Sequence, residues 1–377
     1  MNKKKNKIIN KKLIFIQSTF GDAHQMIRYL ELSKYYLESE LLAFERPYYE
    51  TVKNIDFISL GKINHREFLK RFYLYIKAIF LIKKSKSKTL ENDVFFYGFD
   101  FLSILVFSRK FIKSKLIFEI PDIREIYFIN NLVSKLFIKI LKLSIERLSI
   151  VIVTSDLFIT GFLNKNNIKL EKYFLIENKV HFLDRTGIIN KEKDSLITIG
   201  FFGLIRCERS LKILIEFLNS TSEYNLIIYG YFMGISEGVI KEIKSHSKIK
   251  YKGTYKSPDD LSKLYSEIDI SWIAYPFSLK LEGNFKYART NRFYEAGFFK
   301  IPMIANIQSG DAHYVNKYNI GININFSDIN IAIDKLKMIN AKEISIWKKE
   351  IEKINVRAFQ ATEDDYDLLL NHLKIVE

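Results

Sequence analysis

The feature that most constrains this chain is a series of short, nearly unbroken apolar runs separated by helix-patterned segments. LIFIQ (13–17), VFFY (94–97), LIFE (116–119), IVIVT (150–154) and YFLI (173–176) form a first series. ITIGFF (197–202), LIIYG (226–230), KIKYKG (248–253), DISWIA (269–274) and PMIA (302–305) form a second. A strand with one wet face alternates polar and apolar residues. These runs do not alternate, so they read as parallel strands covered on both faces. Helices between them make βα units. Two series in one chain predict an α/β fold with two doubly wound, Rossmann-like domains. A length of 377 residues suffices for two ordinary domains. The charged stretch INKEKDS (189–195) separates the series. The expected division is therefore a first domain over 1–190, a second over 191–346, and C-terminal helices over 347–377.

Charge narrows the partners. Residues 1–190 hold 33 Lys+Arg against 19 Asp+Glu, whereas residues 191–377 hold 26 against 24. Nearly all of the net charge of +16 therefore sits in the first half. A basic half predicts an anionic partner, nucleic acid or acidic lipid. No zinc-finger, RNP-like or helix-turn-helix signature is present, and the aromatics lie in apolar runs, so nucleic acid is not the expected partner. In HREFLKRFYLYIKAIFLIKKSKSK (65–88), Phe68, Phe72, Ile76 and Ile79 recur at helical spacing, while Lys70, Lys77 and Lys84 share another face. With its Lys-rich tail, this segment predicts a helix lying on a membrane surface. In NLVSKLFIKILKLSIERL (131–148), Lys135, Lys139, Lys142 and Glu146 form one narrow polar stripe. That segment reads as a helix covering a sheet, with its lysines in water. No window offers about 18 uninterrupted apolar residues, so a spanning helix is not expected. The lone cysteine, Cys207, excludes an internal disulfide and a cysteine-cluster metal site, and fits a cytoplasmic protein.

The second series carries the chemistry. ITIGFFGLIRCERSLKILIEFL (197–218) runs from a strand through Gly203 and a loop with Arg206 and Arg209 into a helix from about Ser210. A strand-end glycine lets a ligand approach the backbone, and the helix N-terminus behind it offers free N–H groups. Two arginines add forked donors for phosphate oxygens. The plainer reading is a βα turn with surface arginines. Gly230 ends the next strand, and Tyr275 and Pro276 follow DISWIA, all at the edge where doubly wound folds place their ligand crevice. As a plainer alternative, Tyr275 is a packing aromatic. Ser257 is placed to cap the helix around LSKLY. In NRFYEAGFFKIPMIA (291–305), Asn291 caps a helix with Arg292 to Glu295 in its first turn. A carboxylate there is favoured by the helix dipole and can accept two ribose hydroxyls.

In order, GFFGLIR…ERSL, LIIYGY, YKGTYKSPDDLSKLYSEIDISW and NRFYEAGFFKIPMIA resemble the retaining nucleotide-sugar glycosyltransferases of the GT-B fold. Family four is the nearest pattern, especially bacterial surface-polysaccharide enzymes with an Asn-Lys-hydrophobic-Tyr-Glu signature; Arg292 replaces that Lys. The resemblance spans most of residues 197–325. It implies two Rossmann-like domains facing across a cleft, with the C-terminal helices crossing back to the first. It implies that Glu295 binds the donor ribose, that Arg206 and Arg209 stabilise the diphosphate leaving group without metal or other cofactor, and that Gly203, Gly230, Tyr275, Asn291 and Arg292 line the donor site. Many members carry a second Glu eight residues before the ribose-binding one. Here Tyr287 stands there, with Glu282 and Asn284 nearby but out of register.

The first half resembles the family more loosely. In KLIFEIPDIREIYF, Asp122 takes an acidic position at a strand end. SIERLSIVIVTSDLFITGFL resembles the helix, strand and Thr-Ser turn that follow, and IENKV (176–180) the turn before the interdomain linker. STFGDAHQMIR (18–28) sits where the family keeps its acceptor-side loop. Asp122 is the expected general base, with His24 beside Asp22 as the second choice, and Arg28 a contact to an acceptor phosphate or simply a helix residue facing water. The implied activity is hexosyl transfer from a UDP- or GDP-linked donor to a polyprenyl-diphosphate-linked glycan, at the anionic inner face of the cell membrane. The alternatives are a nucleotide-sugar epimerase or hydrolase on the same fold, or a basic nucleic-acid binder.

Overall fold

The computed structural model describes residues 8–46, 55–63, 68–98, 114–146, 148–181, 196–280 and 282–375. The expected boundary INKEKDS lies outside them. The chain divides into two compact units: Met1–Ile176 with Asp364–Glu377, and Glu177–Glu363.

In the first unit β1 (Ile9–Gln17) leads through α1 (Ala23–Ser33) to β2 (Tyr36–Glu45) and β3 (Ile58–Lys62). Then α2 (Phe68–Ser85) precedes β4 (Glu91–Tyr97) and β5 (Lys115–Ile120), and α3 (Leu132–Ile145) precedes β6 (Ile150–Val153) and β7 (Tyr173–Leu175). The sheet has the order β3-β2-β1-β4-β5-β6-β7, with every neighbouring pair parallel. The second unit alternates β8 (Ile197–Ile205), α4 (Glu208–Asn219), β9 (Tyr224–Phe232), α5 (Glu237–Ser245), β10 (Ile249–Tyr251), α6 (Leu261–Ser266) and β11 (Ile270–Trp272). It continues with α7 (Asn291–Phe298), β12 (Met303–Asn306), α8 (Gly310–Tyr318), β13 (Gly321–Ile324), α9 (Ile329–Lys337) and α10 (Ala341–Lys353). Its sheet, again all parallel, has the order β10-β9-β8-β11-β12-β13. The last helix, α11 (Asp364–Ile375), belongs to the first unit.

All ten apolar runs are strands. Three further strands, β2, β3 and β13, do not show as continuous apolar runs. In the first half of β2, Leu37, Glu38 and Ser39 are exposed, and β3 and β13 are sheet edges with half-wet residues. The C-terminal helices part company. Trp347 of α10 stays in the second unit's core, whereas Tyr366, Leu369, Leu370 and Leu373 of α11 pack with Phe15, Met26 and Tyr29 of the first.

The basic helices differ from expectation. Helix α2 buries Leu74, Ala78 and Ile82 and exposes Tyr73, Ile76 and Phe80, so Ile76 lies on the side of Lys77 and not opposite it. The side chains of Phe68 and Phe72 lie outside the described set. Helix α3 is not wet along its lysine stripe alone: Leu132, Val133, Leu136 and Leu143 are exposed beside Lys135, Lys139 and Lys142. The connections β3→β4 and β5→β6 run the same way across the sheet, and β1→β2 runs the other way. Right-handed crossovers therefore put α2 and α3 on one face and α1 on the opposite face.

Candidate functional site

In an open parallel sheet the ligand crevice forms where the chain's direction of travel across the sheet reverses. In the second unit that point lies between β8 and β11, because β9 and β10 add on one side of β8, and β11 and β12 on the other. The loops after β8 and β11 carry Arg206 and Tyr275. The Arg206 guanidinium carbon sits 5.3 Å from the Tyr275 ring centroid. Arg206 is exposed and makes no ion pair with a described carboxylate, so its five donors are available to an anion. Arg209 is turned aside. Its Nε donates to the Phe326 carbonyl at 2.7 Å and its Nη2 to the Ser327 carbonyl at 2.6 Å. Helix α4 starts two residues before Ser210, with Cys207 as N-cap: the Cys207 sulfur accepts from Ser210 N at 3.3 Å and from Phe277 N at 3.2 Å.

The two glycines have separate causes. Gly203, at φ +97°, has open space for a Cβ, the nearest atoms being Tyr255 Oη at 3.7 Å and Arg292 Nη1 at 3.8 Å. Its backbone conformation, not crowding, calls for glycine. Gly230 pairs directly with Gly203, and a Cβ there would lie 1.8 Å from the Gly203 carbonyl oxygen. Gly230 thus serves the approach of β9 to β8, a correction to its reading as a ligand-approach position. Arg292 fastens the crevice floor: Nη1 donates to the Phe202 carbonyl at 2.8 Å and Nη2 to the Ala274 carbonyl at 3.2 Å.

Helix α7 begins one residue earlier than expected. Thr290 is the N-cap, its hydroxyl accepting from Phe293 N at 3.3 Å, and Asn291 is the first helical residue. Glu295 accordingly stands in the second turn, and the first turn has no acidic residue. Glu295 is buried, and its Oε2 accepts from the Tyr265 hydroxyl at 2.9 Å. Its Oε1 has no hydrogen-bond donor among the described residues. Burial raises the Glu295 pKa against the opposing pull of the Tyr265 hydrogen bond and Arg292. Helix α6, which brings Tyr265, is preceded by Asp260 and not capped by Ser257. Tyr255 and Tyr265 were not singled out by sequence. Both sit in a segment where aromatics read as core, and the phenol of Tyr255 near Gly203 shows only once β8 and the loop after β10 are folded together.

Asp311 closes the loop before α7. Its Oδ1 accepts from Thr290 N at 3.0 Å, and its fully buried Oδ2 has no partner among the described residues. Burial pushes its pKa up to about 7, with the Thr290 bonds and then Arg292 and Arg289 pulling the other way.

In the first unit the reversal lies between β1 and β4. Asp22 is the N-cap of α1 and accepts from Gln25 N at 3.1 Å. His24, half-buried, has its pKa lowered by burial; Asp22 opposes this and Arg28 adds to it. Asp122 is exposed in the loop after β5. The Tyr97 phenol at the end of β4, a residue the sequence did not mark, has its pKa raised by burial, then by Glu119, Asp22 and Asp122. It therefore lies within electrostatic reach of both loops.

Arg28 neither faces water nor reaches outward. It is buried, with Nε donating to Glu119 Oε2 and Nη2 to Glu119 Oε1, each at 2.9 Å, and with Nη1 donating to the Tyr366 hydroxyl at 2.7 Å. Nη2 also donates to the Ile176 carbonyl at 3.1 Å. This corrects its expected acceptor-phosphate role: a buried guanidinium is tolerated only with such partners, and here they occupy its donors.

No protein-family model matches the chain. It is 27% identical over 175 residues to the succinoglycan biosynthesis protein ExoL of Rhizobium meliloti (strain 1021), covering 41% of this chain and 40% of that protein. The match thus spans about two fifths of the relative's length. Among solved structures, sucrose-phosphate synthase from Thermosynechococcus elongatus matches at TM-score 0.69 and 13% identity, over 97% of this chain and 100% of that one. HepE from Anabaena, solved in complex with UDP and glucose, matches at TM-score 0.63 and 13% identity, over 97% and 98%. With its two all-parallel, doubly wound sheets, the chain has the GT-B glycosyltransferase fold.

Proposed function

We propose that this protein is a glycosyltransferase of polysaccharide synthesis. It moves a hexosyl group from a UDP- or GDP-linked donor to a lipid-linked glycan, with retention and without metal. One observation carries the reading. At the reversal point of the second sheet, an exposed arginine without a carboxylate partner among the described residues, Arg206, lies on Tyr275, and α7 brings to that same edge the carboxylate of Glu295, held by Tyr265. An anion held by the one and a ribose diol by the other is the chemistry of a nucleoside diphosphate. Support for UDP comes from HepE, solved with UDP and with UDP-glucose. Support for polysaccharide synthesis comes from ExoL.

Arg206 stabilises the charge that develops on the departing diphosphate. The acceptor hydroxyl loses its proton to a base of the first unit, Asp122 or His24. Burial lowers the pKa of the His24 imidazole, which favours the neutral form that can accept a proton.

The acceptor is placed at an anionic membrane surface. On one face of the first sheet, α2 exposes Tyr73, Ile76 and Phe80 with Lys77 and Lys84, and α3 exposes Leu132, Val133, Leu136 and Leu143 with Lys135, Lys139 and Lys142. Apolar side chains interleaved with lysines suit the boundary between acidic headgroups and acyl chains. No helix among the described residues is long and apolar enough to cross a membrane.

The test is release of free nucleotide from UDP- and GDP-sugars with and without membrane extract as acceptor. Acceptor-dependent release supports transfer. Conversion of donor without acceptor points to the epimerase or hydrolase reading. A Glu295→Ala variant that binds nucleotide as tightly as the parent removes the donor-site assignment. Sedimentation with phosphatidylglycerol vesicles should fall steeply with salt, and fall again in Leu132→Ser/Leu136→Ser. Equal sedimentation with neutral vesicles would remove the membrane assignment.

A further inference from the structure

The strands between which the first sheet reverses, β1 and β4, end side by side on Gln17 and Tyr97. Register partners on parallel strands point their side chains to one face. Here it is the face that α1 covers: Gln17 Nε2 donates to Met26 Sδ at 3.1 Å, and Tyr97 packs in the core that includes Met26 and Tyr29.

Both residues are buried, at 0% and 4% exposure, yet each keeps a polar atom unmet. Gln17 Oε1 has no hydrogen-bond partner among the described residues. The Tyr97 hydroxyl has none among them either. Buried amides and phenols ordinarily find partners, because leaving one unmet is costly. Two such atoms at adjacent strand ends, where a doubly wound sheet takes its ligand, point to a partner from outside the chain. There is room for one. At Gly98, the next residue, a Cβ would meet nothing nearer than Ser18 Oγ at 3.9 Å and Pro121 Cγ at 4.0 Å, so the loops after β1, β4 and β5 do not close on one another there.

The chemistry of the pair selects the ligand. Gln17 Oε1 only accepts, whereas the Tyr97 hydroxyl, its pKa raised first by burial and then by Glu119, keeps its proton and donates. A hydroxyl group both donates and accepts, so it satisfies both. An ionised phosphate offers Gln17 no proton. It would also meet Asp22 and Asp122, which lie within electrostatic reach of Tyr97, while the Arg28 guanidinium is engaged by Glu119, Tyr366 and the Ile176 carbonyl. We propose that Gln17 and Tyr97 bind a hydroxyl of the acceptor's sugar, so that the first unit holds its acceptor there through neutral sugar and not through phosphate. This rests on the reading of the protein as a glycosyltransferase.

The test is steady-state release of nucleotide from the UDP- or GDP-sugar that the parent uses, with detergent-solubilised membrane extract as acceptor, in the parent, Tyr97→Phe and Gln17→Met. Each variant should need about three- to tenfold more extract for half-maximal release, the loss of one neutral hydrogen bond, with the donor KM unchanged. Neither should unfold earlier. With a buried unmet polar atom removed, the midpoint should hold or rise, whereas loss of a residue that merely supports the fold would lower it. The ratio of variant to parent should be the same at about 50 and about 500 mM NaCl, because a neutral contact is not screened. An unchanged requirement for extract in either variant overturns the proposal, as does a midpoint that falls in both. A ratio that shrinks with salt overturns the choice of hydroxyl over phosphate. The transfer reading survives all three results, because the parent still responds to acceptor. If release by the parent does not depend on extract, that reading fails and this inference fails with it.

Discussion

Arg206 and Arg209 stand three positions apart in one loop and helix start, and the fold gives them different work. Arg209 ties the chain at Phe326 and Ser327, whereas among the described residues Arg206 meets the Tyr275 ring and no carboxylate. Arg206→Ala is therefore expected to lower kcat by about 10²- to 10³-fold with little change in the unfolding midpoint. Arg209→Ala should lower the midpoint, with a smaller effect on kcat. Steady-state kinetics and thermal unfolding on the same samples separate the two. A second residue-scale contrast lies in the first unit. Glu119→Ala leaves the Arg28 guanidinium buried without its counter-ion and should cost about 3–5 kcal/mol in urea unfolding. Arg28→Met with Glu119→Leu should cost clearly less, because no uncompensated charge remains. The Arg28–Glu119–Tyr366 cluster could not be read from sequence. Its members lie 91 and 338 positions apart, and an arginine on a helix near the N-terminus reads as solvated until its neighbours are placed.

At the scale of elements, β8 and β9 depend on the absence of one methyl group. Gly230→Ala would drive a Cβ into the Gly203 carbonyl and distort the strand pair under the candidate donor crevice. Expected losses are more than about 2 kcal/mol of stability together with nucleotide affinity, read by urea unfolding and titration. The junction between the β11 loop and α7 titrates. Folding raises the Asp311 pKa from 3.8 to about 7, so the native state binds more protons than the unfolded chain in that window. Its contribution is full below the lower value and is lost as pH rises through the upper one. Asp311→Asn keeps an acceptor for Thr290 N and removes the titration. It should raise the unfolding midpoint most at pH 8, clearly less at about pH 5, and hardly at all below the unfolded value of 3.8; the same difference across that range would contradict this account. Elements were legible where burial on both faces left continuous apolar runs. Edge strands β3 and β13 carry no such mark, because half of each is wet. The cap of α7 was ambiguous between Thr290 and Asn291, both good caps, and that single position decides whether Glu295 lies in the first turn or the second.

For the whole molecule, the apolar runs gave two sheets but not the order of strands within them, which depends on pairing between distant segments. The candidate donor edge was legible because several unusual residues fell at strand ends of one sheet. The pairing of Gln17 with Tyr97 was not, because their strands are neighbours only in the folded sheet. Ending the chain after Glu363 should leave the second unit folded and loosen the first, which would lose Tyr366, Leu369, Leu370 and Leu373 from its core. Two-step unfolding of the truncated chain, with nucleotide shifting only the later step, is the expected result.

The division after Ile176 and before Asp364 also has a consequence for how the protein is made. The second unit is one uninterrupted stretch, and everything it needs has left the ribosome once Glu363 has emerged. The first unit is synthesised first but lacks the side chain that satisfies Arg28 Nη1 until Tyr366 arrives. Order of synthesis and order of completion are therefore reversed: the N-terminal sheet waits, with the α1 face uncovered, while its neighbour folds. A nascent chain stalled just short of α11 is the species in which that apolar face stays open longest, and the one most in need of a chaperone.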